Sequence, residues 1–338
     1  MGDFLSSYQS CFNTKTSNNF SIASRFAQGL LQADRQDLDE ISQVVPGTDY
    51  YQLQHFVTQS PWSGNQLISE VAHTMDKQLQ GAERLLVLDE VGQPKKGDKS
   101  VGVGRQYCGN RGKVDNCQVS VAGFLTDFHQ GSLIDMRLYL PHSWTDAPAR
   151  MEAGGIPAEL HTYRTKLEMA DELISEQLTR GTRFDWVVAD GFYGDLGLAD
   201  RIDQQEKRFL LEVATTRKVY LEEPVLYLPE KKSNRGRPFS RKRPDKTDIS
   251  LSDYYHSLTA KDFRKTRIRD TMKGNLVAQV HTCITWAWDK PNNRIVKLRL
   301  LIRKGKNKIT FAFSNAFQVD EKHLLKVQAW RYFIERAF

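Results

Sequence analysis

Two aspartates follow apolar runs that are typical of strands buried on both faces. Asp89 comes after residues 85–88, and Asp190 comes after residues 186–189. Each aspartate is predicted to end its strand, and ligand sites in open α/β sheets gather at such strand ends. Hard divalent cations prefer carboxylate oxygens. The two positions therefore predict a cation site, provided that the two strands are neighbours.

Two more acidic residues need a decision. Glu90 follows Asp89, and because side chains alternate along a strand it is predicted to point to the opposite face, outside the site. Glu335 lies in a predicted helix, residues 321–338, four positions after Arg331 and on the same helix face. Such a pair is ordinarily a surface ion pair of little energetic value. Glu335, however, lies after a predicted β-rich insertion that follows the fifth predicted strand, and this position favours a role in the site.

The elements that must position these residues follow a recognisable order. The predicted strands cover 85–89, 116–125, 134–140, 184–189 and 208–214, with helices at 166–178 and 198–206. A turn is predicted at 92–94 and a loop at 148–157. The first three strands would form an antiparallel meander, and the Asp190 strand would run parallel to the first through a helical crossover. This is the order of the ribonuclease-H-like fold, an α/β class with a mixed sheet flanked by helices.

Four segments are expected. Residues 1–80 form a helical domain with helices at 21–38, 50–58 and 64–79, and its role is either DNA binding or dimerisation, or only packing. Residues 81–214 form the first part of the core. Residues 215–318 form a β-rich insertion with strands at 277–288, 295–303 and 308–313. Residues 319–338 form the helix that carries the third acidic residue.

Basic residues cluster in two places, in a chain of net charge +7. Residues 92–100 do not form a phosphate-binding P-loop, because Asp98 stands where that motif needs lysine. We predict a basic hairpin there instead, and a mobile loop over residues 231–246 that includes an AT-hook-like Arg-Gly-Arg. The predicted phosphate contacts are Lys95, Lys96, Lys99, Arg105, Arg235, Arg237, Arg241, Lys242 and Arg243. For each cluster, the alternative is a solvated turn or loop.

Several classes of protein are disfavoured. The four cysteines show neither a C-x-x-C pair nor zinc-finger spacing, which favours reduced thiols in a cytoplasmic protein. No apolar stretch reaches the roughly 18 residues that a membrane span needs. The N-terminus lacks the basic and apolar regions of a secretory signal.

These residues resemble those of the DDE transposases of bacterial insertion sequences. The resemblance covers most of the chain. Its most specific part is Gly92-Gln93-Pro94-Lys95-Lys96-Gly97 with Asn116-Cys117-Gln118-Val119, and it continues in Asp190-Gly191-Phe192-Tyr193-Gly194 and Trp330-Arg331-Tyr332-Phe333-Ile334-Glu335-Arg336.

The resemblance implies a ribonuclease-H-like core in which Asp89, Asp190 and Glu335 are the catalytic acids. They would hold two Mg²⁺ or Mn²⁺ ions, about 3.5–4 Å apart, and Arg331 would support them. It also implies DNA cleavage at transposon ends and strand transfer into target DNA by a nucleoid-associated homodimer. No nucleotide cofactor and no membrane are implied.

The sequence departs from the family pattern at two points. The tyrosine expected three residues before Arg331 is Gln328, and the chain stops three residues after Glu335, where the family continues with a basic residue. The second departure predicts a truncated or decayed copy, or half of a split gene. Two alternatives therefore stay open: a ribonuclease-H-like nuclease without strand transfer, and an inactive protein that only binds DNA.

Overall fold

A computed structural model describes residues 2–15, 17–230, 239–271, 274–305 and 308–338. The chain divides into two compact units, Met1–Thr74 and Met75–Phe338. Within the described ranges, no helix is both long enough and apolar enough to cross a membrane.

The first unit is helical. Its helices are α1 (Gly2–Ser6), α2 (Gln9–Phe12), α3 (Phe20–Gln32), α4 (Leu38–Val44), α5 (Tyr50–Thr58) and α6 (Gly64–Gln78), the last of which continues into the second unit. Ile41 and Leu53 are fully buried at the centre of this unit, and Phe26 packs against them.

The predicted helix over residues 21–38 is wrong in its length. Helix α3 ends at Gln32, and the Asp37 side chain accepts a 2.9 Å hydrogen bond from the Glu40 backbone N–H, which caps a new helix. An aspartate at this position favours a helix start over helix continuation. The bounds of α5 are as predicted, and Leu53 and Phe56 are its buried residues.

The second unit contains the remaining elements. Its strands are β1 (Leu85–Pro94), β2 (Gly104–Cys108), β3 (Lys113–Thr126), β4 (Gly131–Leu138), β5 (Trp186–Ala189), β6 (Arg208–Val213), β7 (Lys218–Val219), β8 (Leu226–Tyr227), β9 (Arg243–Pro244), β10 (Ile249–Ser250), β11 (Arg264–Thr271), β12 (Gly274–Asp289), β13 (Arg294–Lys304) and β14 (Ile309–Ser314). Its further helices are α7 (His142–Thr145), α8 (Pro148–Ala153), α9 (Lys166–Thr179), α10 (Leu196–Gln204), α11 (Leu251–Ser257), α12 (Glu321–Trp330) and α13 (Ile334–Ala337).

Ten of these strands form one mixed sheet in the order β11-β12-β13-β14-β6-β5-β1-β3-β2, with β4 also paired to β3. Strand β3 is antiparallel to β1 and β4, whereas β5 is parallel to both β1 and β6. The five strands β4-β3-β1-β5-β6 thus have the order and directions of a ribonuclease-H-like core. The predicted fold class is confirmed.

The later strands extend this same sheet. Strand β14 pairs antiparallel with β6, and β13, β12 and β11 follow outward from it. The sequence predicts strands at residues 277–288, 295–303 and 308–313, and each of these segments is extended. The pairing of β14 with β6 is not predictable in the same way, because local patterns do not identify partners that are distant in sequence.

Two local predictions near β1 are wrong. Residues 92–94 are not a turn but the end of β1, where Gly92 passes so close to Cys108 that a Cβ would lie 3.1 Å from its sulfur. The segment after β1 is not a hairpin. Both Pro94 and Gly104 are paired with Cys117, so β1 and β2 lie on opposite edges of β3.

The predicted loop over residues 148–157 contains helix α8. Pro148 occupies its first turn, where the fixed backbone angle of proline favours helix initiation. The guanidinium of Arg150 stacks 3.9 Å from the centre of the Trp144 ring, which joins α8 to α7.

Helices cover both faces of the sheet. On one face, Leu85 and Val87 of β1 belong to a cluster that includes Leu324 and Val327 of α12, so we call this the α12 face. On the other face, Leu173 of α9 packs so tightly on β3 that a Cβ at Gly123 would lie 2.9 Å from it. We call this the α9 face.

Candidate active site

Asp89 lies on the α12 face and inside β1, not at its end as predicted. The parallel pairing of β1 with β5 stops at Leu88, opposite Ala189, while the antiparallel pairing with β3 continues to Pro94. At Asp89, β1 is therefore still paired with β3 but no longer with β5. The Asp89 side chain is 14% exposed.

Asp190 directly follows β5, as predicted, and stands beside Asp89 where the two strands separate. Its Oδ1 accepts a 3.0 Å hydrogen bond from the Phe192 backbone N–H, which folds the next residues into a turn. Gly194 closes this turn against β6. A Cβ at this position would lie 2.3 Å from the Glu212 carbonyl oxygen, so only glycine fits.

Arg331 and Glu335 reach the same place from the C-terminal helices. Helix α12 tightens to a 3₁₀ turn over Arg331–Phe333 before α13 begins. Arg331 Nη1 donates to Asp89 Oδ2 at 2.9 Å, and Nη2 donates to Glu335 Oε1 at 2.8 Å. The ion pair that the sequence suggests is formed, but it is part of a three-residue link to Asp89 rather than an isolated surface pair.

The pKa of Asp89 is raised mainly by burial, and charged neighbours modify this shift. Burial raises its pKa to about 6, the guanidinium of Arg331 opposes this rise, and the charges of Asp190 and Glu335 add to it. We call Asp89, Asp190 and Glu335 the carboxylate cluster. The sequence predicts that Asp89 and Asp190 lie close together, and the resemblance adds Glu335. In the fold, Asp190 and Glu335 both interact electrostatically with Asp89.

The donor set of this cluster fits a divalent cation by its chemistry. All three side chains offer hard oxygens, and one cationic side chain, Arg331, hydrogen-bonds two of them. The arrangement itself is not that of a closed metal site: no group of three or more His, Cys, Asp or Glu side chains among the described residues is placed to hold a metal ion. The guanidinium group instead bridges Asp89 and Glu335.

Glu90 lies on the α9 face, as the alternation predicts. Its Oε2 accepts a 2.8 Å hydrogen bond from Lys166 Nζ at the start of α9. Burial raises its pKa, Lys166 opposes the rise, and Asp190 adds to it. Behind the cluster, Tyr193 is fully buried, and burial together with the charges of Glu90, Asp190 and Asp89 raises the pKa of its hydroxyl.

Sequence reasoning missed a fourth acidic residue near the cluster. Glu212 lies near the end of β6, next to β5, and shares the α12 face with Leu210 two residues before it. Gln328 donates to Glu212 Oε1 at 3.1 Å and to Thr310 Oγ1 at 3.1 Å. A signal exists in the sequence, because Glu212 is the only charged residue between Phe209 and Val213.

The predicted phosphate-binding residues are only partly described. Lys96, Lys99, Arg105, Arg241, Lys242 and Arg243 are exposed, Lys95 is half-buried, and Arg235 and Arg237 lie outside the described residues. Asn116 Nδ2 donates to the carbonyl oxygens of Lys95 and Gly97 at 2.8 and 2.9 Å, so the backbone of the first basic loop is held in place. Arg243 rests 5.1 Å from the centre of the Phe239 ring.

Comparisons with known proteins identify the family of this chain. The sequence matches the DDE superfamily endonuclease family over residues 8–275. It is 34% identical over 163 residues to a protein of Microchaete diplosiphon described as a probable transposase for insertion sequence element IS701. That match covers 48% of this chain and 40% of the relative, so the chain spans well under two thirds of the relative's length.

Among solved structures, the NurA nuclease from Sulfolobus solfataricus matches 77% of this chain and 81% of its own at 11% identity, with a TM-score of 0.29. A score this low carries no argument about function. The family match, in contrast, covers most of the chain and includes the strands that carry Asp89 and Asp190. The chain therefore belongs to the DDE superfamily endonucleases, a family of phosphoryl-transfer enzymes.

Proposed function

We propose that this protein is a transposase of an insertion sequence, which cleaves DNA at the ends of the element and transfers the cut strand into target DNA. The observation that carries the proposal is the convergence of Asp89, Asp190 and Glu335 on the α12 face of a ribonuclease-H-like sheet. The description of the Microchaete relative as a probable transposase supports it.

In this proposal, Asp89, Asp190 and Glu335 hold Mg²⁺ or Mn²⁺, in a set of two ions. The cations would supply Lewis-acid polarisation of the phosphate and would lower the pKa of the attacking water. No histidine is then needed as a general base.

The side chains of this chain contribute three things. Asp89 is an ionised acceptor at neutral pH, because its pKa is about 6. In the chain without a bound cation, Arg331 fixes the directions of one oxygen of Asp89 and one of Glu335. The burial of Asp89 and Arg331, each with a side chain 14% exposed, keeps bulk water away, which strengthens charge interactions at the phosphate.

Double-stranded DNA is the proposed partner, and the protein would act as a homodimer on paired ends. The exposed Lys96, Lys99 and Arg105 would contact the phosphate backbone near the core, and Arg241, Lys242 and Arg243 would do so from the insertion. The helical first unit would contribute DNA binding or dimerisation.

The test uses a plasmid that carries the two ends of the insertion sequence, incubated with Mg²⁺ and either the wild-type chain or Asp190→Ala. We expect cleavage at the ends and joining to a second plasmid by the wild type. We expect the variant to lose both activities by roughly a thousandfold or more. Cleavage without joining would favour the nuclease alternative. End binding without Mg²⁺-dependent cleavage would favour a DNA-binding protein.

A further inference from the structure

The Arg331 guanidinium stands where a cation bound by the cluster would need oxygens. It donates to Asp89 Oδ2 at 2.9 Å and to Glu335 Oε1 at 2.8 Å, so each of these carboxylates already has one oxygen engaged. Like charges repel strongly where water is scarce. A divalent cation that engages the same oxygens would therefore displace the guanidinium, which needs another negative partner nearby.

Glu212 is that partner by position and charge. It lies on β6, the strand next to that of Asp190, and faces the same side of the sheet as Arg331. Burial alone would lower the pKa of Arg331, but Glu212, Asp89, Glu335 and Asp190 together raise it, and Glu212 contributes most among the four. Even so, Arg331 is hydrogen-bonded to Asp89 and Glu335 rather than to Glu212.

Glu212 is held in place for this role. Gln328, 3% exposed, lies one helical turn before Arg331 and donates to Glu212 Oε1 at 3.1 Å. The same amide group donates to Thr310 Oγ1 on β14, which anchors it to the sheet. Gln328 is also the position where the sequence departs from the tyrosine of the resembled family. This departure gives Glu212 a neutral hydrogen-bond donor. Arg303, which interacts electrostatically with both Glu212 and Arg331, is a second cationic neighbour of this carboxylate.

We propose that Glu212 is a positioning residue that receives the guanidinium of Arg331 when a divalent cation engages Asp89 and Glu335. Arg331 would then alternate between two sets of carboxylates, and Glu212 would favour cation binding by stabilising the displaced arginine. This inference rests on the proposed function, because it needs a cation at the carboxylate cluster.

The test is a double-mutant cycle on Mn²⁺ affinity, measured on the full chain without DNA from the free-Mn²⁺ signal in electron paramagnetic resonance. Arg331→Gln removes the competing guanidinium, so we expect Mn²⁺ to bind roughly tenfold more tightly. Glu212→Gln removes the second partner and holds Arg331 on the cluster, so we expect binding to weaken by roughly tenfold. Glu212→Asp keeps the charge and should restore part of the affinity.

The double variant separates this mechanism from simple long-range electrostatics. If Glu212 acts through Arg331, the Glu212→Gln change has no effect on Mn²⁺ affinity in the Arg331→Gln background. If the two changes add, Glu212 acts on the cation directly and the inference is overturned. Glu222→Gln, at an exposed carboxylate paired with Lys246, serves as the matched control for the loss of one negative charge.

Two further outcomes distinguish the failure of this inference from the failure of the proposed function. Wild-type protein that binds no Mn²⁺, or binds it equally well after Asp190→Ala, would contradict the cation site itself and the inference with it. Mn²⁺ binding that depends on Asp190, without tighter binding by Arg331→Gln, would overturn the inference alone. Circular dichroism melts establish that each variant is folded. If Arg331→Gln does not fold, Arg331→Met replaces it in the cycle, since methionine also removes the positive charge and is a flexible side chain that fills irregular space.

Discussion

Asp89 and Glu90 are adjacent acidic residues on β1 with nearly equal burial, yet their hydrogen-bond partners differ. Their side chains are 14% and 20% exposed. Glu90, on the α9 face, has Lys166 at 2.8 Å as its cationic partner. Asp89, on the α12 face, shares Arg331 with Glu335 and also lies near Asp190. At similar burial, the sharing of one guanidinium by two carboxylates therefore distinguishes the candidate site from the one-to-one ion pair of Glu90.

The two faces also differ in what their helices contribute. On the α9 face, the helix covers the sheet with apolar residues such as Leu173 and supplies one lysine to balance one glutamate. On the α12 face, the helices cover the sheet with Leu324 and Val327 but then bring an arginine and a further carboxylate. The helix on the α9 face thus contributes stability, whereas the helices on the α12 face also contribute residues of the candidate site.

The largest expected effect is a loss of DNA cleavage when a carboxylate on the α12 face is removed. Glu335→Ala removes one cluster carboxylate, and we expect DNA cleavage to fall by about a thousandfold. Because the Glu335 side chain is 45% exposed, the free energy of unfolding should change little. Cleavage assays and urea denaturation check the two statements. The control is Glu159→Ala, an exposed acid in the 3₁₀ turn Ala158–Leu160 before α9, which should leave both unchanged. Full cleavage by Glu335→Ala would remove this residue from the site.

The pH dependence of cation binding should follow Asp89. Its pKa is raised from 3.8 to about 6, so the folded state binds its proton more tightly than the unfolded state does. Asp89 therefore contributes stability below pH 3.8 that is lost as the pH rises to about 6. A cation needs the ionised form, so Mn²⁺ affinity should fall about tenfold per unit as the pH drops below this pKa.

Titrations of Mn²⁺ between pH 5 and pH 8 measure this fall, at pH values chosen around the pKa of about 6. In Arg331→Gln, the pH below which the Mn²⁺ affinity falls should be higher than in the wild type, because the guanidinium opposes the rise in the Asp89 pKa. A profile that stays flat across this range in the wild type would contradict the assigned role of Asp89.

On the α9 face, we expect an effect on stability rather than on catalysis. Lys166→Met leaves Glu90 buried without its cation and should lower the free energy of unfolding by about 1–3 kcal/mol. Adding Glu90→Gln removes the unpaired charge and should recover most of that loss. Urea denaturation at neutral pH measures both changes. If the double variant is less stable than Lys166→Met alone, the pair is not an independent structural unit.

The smallest expected effect concerns the exposed basic loop. Removal of one lysine–phosphate interaction reduces the slope of log affinity against log salt by about 0.9, so Lys96→Ala with Lys99→Ala should reduce it by about 2. At moderate salt, the affinity for DNA should fall several-fold. Fluorescence anisotropy across a salt series measures the slope. Lys218→Ala is the control, because Lys218 already pairs with Asp248 at 2.8 Å. An unchanged slope in the double variant would exclude these lysines from the DNA interface.

Most of the core fold, and the placement of Asp89 and Asp190 on neighbouring strands, can be predicted from local patterns in the sequence, whereas the assignment of Glu335 to the site rests on its place after the insertion and on the family resemblance. Apolar runs identify buried strands such as β5, and an acidic residue within or directly after such a run stands out from its surroundings. Helical spacing likewise places Arg331 and Glu335 on one face. These signals are local, and they are strong because burial limits which residue types are tolerated.

The remaining features depend on contacts between distant segments. The pairing of β14 with β6, the hydrogen bond from Gln328 to Glu212 and the link from Arg331 to Asp89 each join segments that are far apart in the sequence. The spacing of apolar residues in the sequence does not predict contacts between such distant segments. The turn predicted at residues 92–94 is wrong for a similar reason, since Gly92 is required by a close approach to Cys108 rather than by a turn.

The central claim is that the α12 face of β1 carries the chemistry and the α9 face does not. Its most direct test compares Asp89→Asn with Glu90→Gln in one Mg²⁺-dependent DNA cleavage assay, because the two changes alter neighbouring residues in the same chemical way. We expect Asp89→Asn to lose cleavage by roughly a thousandfold and Glu90→Gln to stay within about tenfold of the wild type. Equal losses in both variants, or a larger loss for Glu90→Gln, would contradict the account.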